Sequence, residues 1–106
     1  MDIMGMMKKA QAVQAKLQEA QEELGRLEVE GQAGGGMISL TLSAKGDLKG
    51  VRIDPSLLTP ADKEMVEDLI VAAFNDGKAK ADRIAAEKMQ SLTEGLPLPP
   101  GMKLPF

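Results

Sequence analysis

The sequence predicts an α+β domain with the element order α-β-β-β-α, in which two long helices flank a three-stranded antiparallel meander. Three observations predict this fold. The first 27 residues carry a heptad of apolar residues, residues 27–54 contain three short segments of alternating polarity, and residues 59–92 return to a helical period. With 106 residues, the chain is expected to form a single domain, 1–94, followed by a Pro/Gly-rich C-terminal tail, 95–106.

The first helix is predicted from apolar residues at alternating spacings of three and four: Ile3, Met6, Ala10, Val13, Leu17, Ala20, Leu24 and Leu27. So narrow an apolar stripe packs against another helix along its length. A helix of this length is about 36 Å long at about 1.5 Å per residue. A compact domain of this size has a radius of gyration of only about 13 Å. We therefore expect the helix to project from the body of the protein as an arm.

The three segments of alternating polarity, 27–33, 38–44 and 48–54, are predicted strands with one apolar face. Gly34-Gly35-Gly36 and Lys45-Gly46-Asp47 separate them and are turn sequences. Because three short strands leave open edges and cannot cover helices of this length, we expect the sheets of two chains to join in a C2 homodimer.

The second helix is predicted to begin after Thr59, with Thr59 as the N-cap and Pro60 at the first helical position. Asn75-Asp76-Gly77 is also a sequence typical of a turn that would break this helix. The apolar period continues in phase beyond Gly77, which favours an unbroken helix and a close approach of two backbones at that glycine. If the two helices pack antiparallel, residues 19–27 and 62–70 lie near the sheet, and residues 3–10 and 84–92 form the far ends.

Composition excludes several classes of function. The chain has no Cys and no His, so it lacks the usual zinc ligands, a thiol nucleophile and an imidazole base. Its paired carboxylates have no residue beside them that would complete an acid–base site, and Gly34-Gly35-Gly36 has no Lys-Ser/Thr after it. We expect no enzyme, metal, cofactor or small-molecule substrate. No signal peptide or long apolar run is present, which predicts a cytoplasmic protein without a membrane partner.

The formal net charge is −3, but the basic residues are segregated. They concentrate near the start of the first helix and in the later part of the second, at Lys8, Lys9, Lys16, Lys78, Lys80, Arg83 and Lys88. These seven residues are the candidate DNA-binding residues. The alternative is an ordinary solvated surface, because Asp76–Lys80 and Lys78–Asp82 are i,i+4 pairs that would neutralise part of this charge. Contacts to phosphates alone would be nonspecific and sensitive to salt.

Several stretches, in a fixed order, carry a resemblance to a known family: Leu27-Glu28-Val29-Glu30-Gly31, Ile53-Asp54-Pro55-Ser56-Leu57-Leu58, Asp62-Lys63-Glu64-Met65, Glu67-Asp68-Leu69, Ala72-Ala73-Phe74-Asn75-Asp76 and Leu98-Pro99-Pro100-Gly101-Met102-Lys103. Together with the Gln-rich helix 6–24, they resemble the YbaB/EbfC family of bacterial nucleoid-associated proteins. The resemblance implies a homodimer with tweezer-like helices that binds double-stranded DNA with little sequence specificity. It also implies a location in the nucleoid and roles in nucleoid organisation and gene regulation. Gly77 departs from the family pattern, which tends to have Ala there.

A second hypothesis belongs to a different class of protein. In a prefoldin-like holdase or helical adaptor, Met-rich arm tips would grip protein clients, and the lysines would only confer solubility. Met4, Met6 and Met7 supply such a tip. A holdase would suppress aggregation of unfolded proteins, and its binding to DNA would show little dependence on salt.

Overall fold

The structure is a computed structural model that describes residues 2–94. In chain order it contains α1 (Ile3–Arg26), β1 (Glu28–Ala33), β2 (Ile38–Ser43), β3 (Leu48–Ile53) and α2 (Lys63–Glu94). Two short 3-10 turns, Pro55–Leu57 and Pro60–Asp62, connect β3 to α2. The predicted order α-β-β-β-α is confirmed. The predicted tail, 95–106, lies outside the described residues, and the division of the chain at residue 94 stays a prediction.

The sheet is an antiparallel meander with the strand order β1-β2-β3, as predicted. The turn between β1 and β2 uses Gly34, Gly35 and Gly36, all at positive φ, a conformation that costs a residue with a Cβ atom free energy. Since directly opposed residues share a face, Gly31, Leu40 and Val51 lie on the same side of the sheet. The meander therefore presents one apolar face to α2.

The core lies between this face and the first half of α2. Its fully buried members come from β2, the loop after β3 and α2: Ile38, Leu40, Leu42, Leu57 and Ala73. Val66, Leu69, Ile70 and Phe74 of α2 are partly buried against them. The core face of β3 is less well covered, because Leu48 and Val51 each remain 52% exposed. One edge of the sheet thus keeps apolar surface in contact with solvent.

The helix α2 is continuous through Gly77, as predicted. A Cβ atom placed on Gly77 would lie 3.2 Å from the Cα of Gly31, and one placed on Gly31 would lie 2.6 Å from the backbone N of Gly77. The two glycines let the helix backbone rest directly on β1. The predicted close approach is confirmed, and it gives a physical reason for a glycine at position 77.

The start of α2 differs in detail from the prediction. Thr59 precedes the first turn and Pro60 begins it, but the Thr59 side chain makes no capping bond to the backbone. Its hydroxyl donates instead to Asp62 Oδ2 over 2.9 Å. The first turn is a 3-10 turn, and the α-helix begins at Lys63.

The arm consists of α1 and the last part of α2. The chain measures 71 × 23 × 16 Å, with a radius of gyration of 19.5 Å. Its longest dimension exceeds the length of α2, which is about 48 Å, so α1 continues beyond the point where α2 accompanies it. Only the end of α1 nearest the sheet is buried, at Ala20 and Leu24. The expectation of a projecting helix is confirmed.

Candidate nucleic-acid interface

The outer part of α1 carries three lysines, Lys8, Lys9 and Lys16, and no acidic residue between residues 3 and 18. All three are exposed. Among the side chains that the structure describes, which extend to residue 92, no carboxylate forms an ion pair with any of them. Lys9 and Lys16 are two helical turns apart and share one flank of the apolar stripe. The outer arm therefore has a local positive charge on a protein whose net charge is negative.

The candidate lysines of α2, in contrast, form ion pairs. Lys78 pairs with Asp82, Lys80 pairs with Asp76 at 3.1 Å, and Lys88 pairs with Glu23. The first two are the i,i+4 pairs that the sequence indicated. Each of these three ammonium groups lies beside a carboxylate that offsets part of its positive charge. These lysines therefore attract a phosphate less strongly than the lysines of α1 do.

Arg83 is the remaining candidate on α2. It is exposed, and within the part of the chain that the structure describes it forms no ion pair, not even with Glu87, which lies one helical turn further along α2. Arg83 is thus the one α2 candidate in this region whose charge is unpaired.

The seven candidates do not meet at one tip. The sequence predicted that residues 84–92 lie beside residues 3–10, but Lys88 contacts Glu23, which is about 20 Å or more along α1 from Lys9 at about 1.5 Å per residue. The prediction was wrong because the first half of α2 is used to cover the sheet. Only its last turns remain to pack against the root of α1.

Lys78 and Lys80 lie against the sheet rather than on the arm. Lys80 Nζ donates to Glu30 O over 2.8 Å, and Gln32 N–H donates to Asp76 Oδ2 over 3.0 Å. Residues Glu30 and Gln32 are on β1, the outer strand of the sheet. The ion pair of Lys80 and Asp76 therefore closes a strand edge that would otherwise offer free backbone groups.

Two further lysines, Lys45 and Lys49, lie beside Gly25 near the end of α1, and the sequence did not single them out. Lys49 Nζ donates to Gly25 O over 3.1 Å, and the Lys45 side chain passes beside Gly25. Lys78 passes beside Gly46 in the same turn. No spacing in the sequence predicts this group, because the strand register and the path of α2 bring its members together.

Two carboxylates that pair with lysines of α2, Glu23 and Asp76, have lowered pKa values. The pKa of Glu23 is held below its ordinary value by the hydrogen bond and charge of Lys88. The pKa of Asp76 is lowered first by the backbone N–H of Gln32 and then by Lys80. Both carboxylates are ionised at neutral pH, so both pairs persist there.

Other kinds of site find no support within residues 2–94. No group of three acidic side chains is arranged to hold a metal ion. None of the helices in this range has the length and apolar character needed to cross a membrane.

The comparisons with known proteins show the family of the chain. The model of the YbaB/EbfC DNA-binding family matches residues 1–96. A nucleoid-associated protein of Methylocella silvestris is 56% identical over 105 residues, covering 99% of this chain and 98% of that protein. One from Agrobacterium fabrum is 54% identical with the same coverage.

A crystal structure with the same fold is also known. An uncharacterized protein from Helicobacter pylori matches with a TM-score of 0.70 and 25% identity, covering 90% of this chain and 96% of that one. The family match, the identities and the fold agree over nearly the whole chain. The chain therefore belongs to the YbaB/EbfC DNA-binding family.

Proposed function

We propose that this protein is a homodimeric nucleoid-associated protein that binds duplex DNA with little sequence specificity. Its place is the bacterial nucleoid in the cytoplasm, and its roles are nucleoid organisation and gene regulation. The partner is the phosphate backbone, which is contacted by basic residues on projecting helices. The proposal rests on the family to which the chain belongs and on relatives named as nucleoid-associated proteins.

The outer arm supports the proposal best. Between residues 3 and 18 it carries three lysines and no carboxylate, whereas a random surface of this acidic protein would mix the two signs. Positive side chains without an internal partner release counterions from DNA when they bind. All seven candidates remain proposed contacts, and Lys8, Lys9, Lys16 and Arg83 contribute more than the ion-paired Lys78, Lys80 and Lys88.

The homodimer is proposed to form through β3. The bond from Asp54 N–H to Met37 O sets the register of β3 on β2, so the backbone groups of Val51 and Ile53 point to the outer edge. No hydrogen bond within residues 2–94 closes that edge. The edge of β1, in contrast, is occupied by Asp76 and Lys80. Two sheets joined at β3 would carry two arms on one molecule.

The test is a duplex-DNA titration at several salt concentrations with two triple variants. One is Lys8→Gln/Lys9→Gln/Lys16→Gln, and the other is Lys78→Gln/Lys80→Gln/Lys88→Gln. Both change the net charge equally, so a difference between them reports the position of the charge. We expect the log–log salt slope of the first variant to fall by about 0.9 for each phosphate that is no longer neutralised. The slope of the second variant should fall less.

Each outcome has a distinct meaning. An equal fall in both variants would show that net charge, rather than the outer arm, governs binding. Absence of binding by the unmodified protein at low salt would contradict the proposed function itself. Suppression of aggregation of an unfolded client protein, with DNA binding insensitive to salt, would favour the holdase.

A further inference from the structure

The apolar stripe of α1 loses its cover partway along the helix. Ala20 and Leu24 are each 2% exposed, and Leu17 and Val13 are half-buried. Beyond them Ala10 is exposed, and Met6 and Ile3 are exposed at 58% and 69%. Met4 and Met7 beside them are 71% and 58% exposed. The outer turns of α1 thus hold four large apolar side chains in contact with solvent.

The position at which the cover ends follows from α2. Both helices leave the sheet in the same direction, because α1 ends at the sheet, α2 crosses it, and Lys88 of the outgoing part pairs with Glu23. The chain runs toward the sheet in α1 and away from it in this part of α2, so the two helices are antiparallel. Later residues of α2 therefore lie beside earlier residues of α1. The end of α2 at Glu94 therefore falls close to Val13 and Leu17, which are the last half-buried residues of the stripe.

The chain continues at that point. Residues 95–106 lie outside the described part, and their sequence is rich in apolar residues and proline: Leu96, Leu98, Met102, Leu104 and Phe106, with Pro97, Pro99, Pro100 and Pro105. Twelve residues in an extended polyproline conformation reach about 37 Å at about 3.1 Å per residue. The uncovered stripe from Val13 to Ile3 is about 15 Å long at about 1.5 Å per residue. The segment is long enough to reach all of it.

We propose that residues 95–106 dock along the uncovered apolar stripe of α1 in their own chain, over Ile3, Met6 and Ala10. The tail would then continue the cover that α2 provides nearer the sheet. Proline limits the conformational freedom of the unbound segment and so lowers the entropy cost of docking. The methionines of the stripe can adapt their shape to an irregular partner.

Charge favours the tail over a second copy of the arm. Two arms that met tip to tip along the stripe would bring Lys8 and Lys9 of one chain close to the same residues of the other. The tail has a single charged side chain, Lys103, so it brings less positive charge toward Lys8 and Lys9 than a second arm would. The proposal concerns packing within one chain and is independent of DNA binding.

The chain has no Cys, which permits a direct distance measurement on the full-length protein. A nitroxide on the single cysteine of a Lys103→Cys variant reports its neighbours through broadened NMR signals. We expect loss of the methyl signals of Met4, Met6 and Met7. Met65, which is also exposed but lies at the start of α2, serves as the reference methyl and should keep its signal.

The matched control carries the same label and replaces Leu96, Leu98, Met102, Leu104 and Phe106 by Ser. The arm methyl signals should return in this control. Unbroadened arm methyls in the first protein, or equal broadening of Met65, would overturn the proposal. So would broadening of the arm methyls in a mixture of nitroxide-carrying chains without isotope and isotope-enriched chains without nitroxide, because the docked segment would then belong to another chain.

Discussion

At the scale of single residues, Gly31 and Gly77 determine how closely α2 approaches the sheet. A Cβ atom on Gly31 would meet only backbone atoms of α2 at closest approach, the carbonyl oxygen of Ala73 and the amide nitrogen and Cα of Gly77. Gly77 faces the methyl end of Leu42 as well as Gly31. Backbone atoms cannot move aside without displacing the helix, whereas a leucine methyl can shift a little. The two glycines are therefore expected to differ in their tolerance of a Cβ atom.

We predict that Gly31→Ala destabilises the protein by about 3 kcal/mol or more, which is the upper range for overpacking a core. Gly77→Ala should cost less, because the gain in helix propensity of about 1 kcal/mol offsets part of the clash. Gly50→Ala is the control, since its Cβ atom would meet only Thr41 at 4.0 Å. Urea unfolding measures all three. Equal costs at positions 31 and 77 would contradict this account of the contact.

The ionisation of Asp76 makes the free energy of unfolding depend on pH. The amide of Gln32 and the ammonium of Lys80 stabilise its charged form, so its folded-state pKa lies below the ordinary value of 3.8. A carboxylate with a lowered folded pKa contributes stability above its unfolded pKa, and that contribution disappears as the pH falls through the folded pKa. The stabilisation by Asp76 is therefore complete at neutral pH and lost in acid.

We predict that Asp76→Asn lowers the urea midpoint at pH 7 and that its difference from the unmodified protein shrinks below pH 4. Asp68→Asn on the same helix is the control, because Asp68 is exposed and has no ion pair within residues 2–94. Its midpoint should follow that of the unmodified protein. If the difference in urea midpoint between Asp76→Asn and the unmodified protein stayed constant down to pH 2, the charge of Asp76 would not be the source of its stabilisation.

At the scale of elements, the heptad of α1 describes a helix whose packing changes along its length. Leu24 is buried between α1 and the rest of the fold, and its carbonyl accepts a hydrogen bond from Ala44 N–H. Leu27, the next member of the same heptad, is the C-cap residue directly after α1 and is 41% exposed. The heptad pattern is the same at both residues, but the burial is not.

We predict that Leu24→Ala costs about 2–5 kcal/mol, the usual range for a leucine removed from a core. Leu27→Ala should cost less than about 1 kcal/mol, because that side chain keeps much of its contact with water. Thermal or urea unfolding measures both. If the two substitutions cost the same, the arm does not pack against the body at Leu24 in the way described.

At the scale of the whole molecule, the shape suits association through one edge. The sheet has one edge closed by side chains of α2 and one edge, β3, with exposed apolar residues beside it. A second copy on β3 would cover Leu48 and Val51 and leave the arms free. The Cα radius of gyration of one chain is 19.5 Å, and two chains joined at β3 have a larger one.

We predict that the unmodified protein has the mass of a dimer by light scattering and a larger radius of gyration in small-angle scattering than the Val51→Lys variant. Val51→Lys should bring both measurements back toward the monomer, because charged side chains on an edge oppose strand pairing. Val71→Lys is the control, since Val71 is 60% exposed on α2. A Val51→Lys protein that remained dimeric would place the interface elsewhere.

The sequence by itself determined the order of elements, the three strands, the glycine turns and the unbroken second helix. These features depend on local periodicity and turn chemistry, which a sequence records directly. It also determined the family, through stretches spread along the chain. It could name the seven basic candidates, because charge is a property of the residue alone.

Only the tertiary structure decided which of those charges are free. The pairing of Lys88 with Glu23 depends on how far α2 travels over the sheet before it meets α1, and that distance follows from the contact of Gly31 with Gly77. The closure of β1 by Asp76 and Lys80 depends on the same path. A linear pattern holds no record of such distances, because the packing of one element against another fixes them.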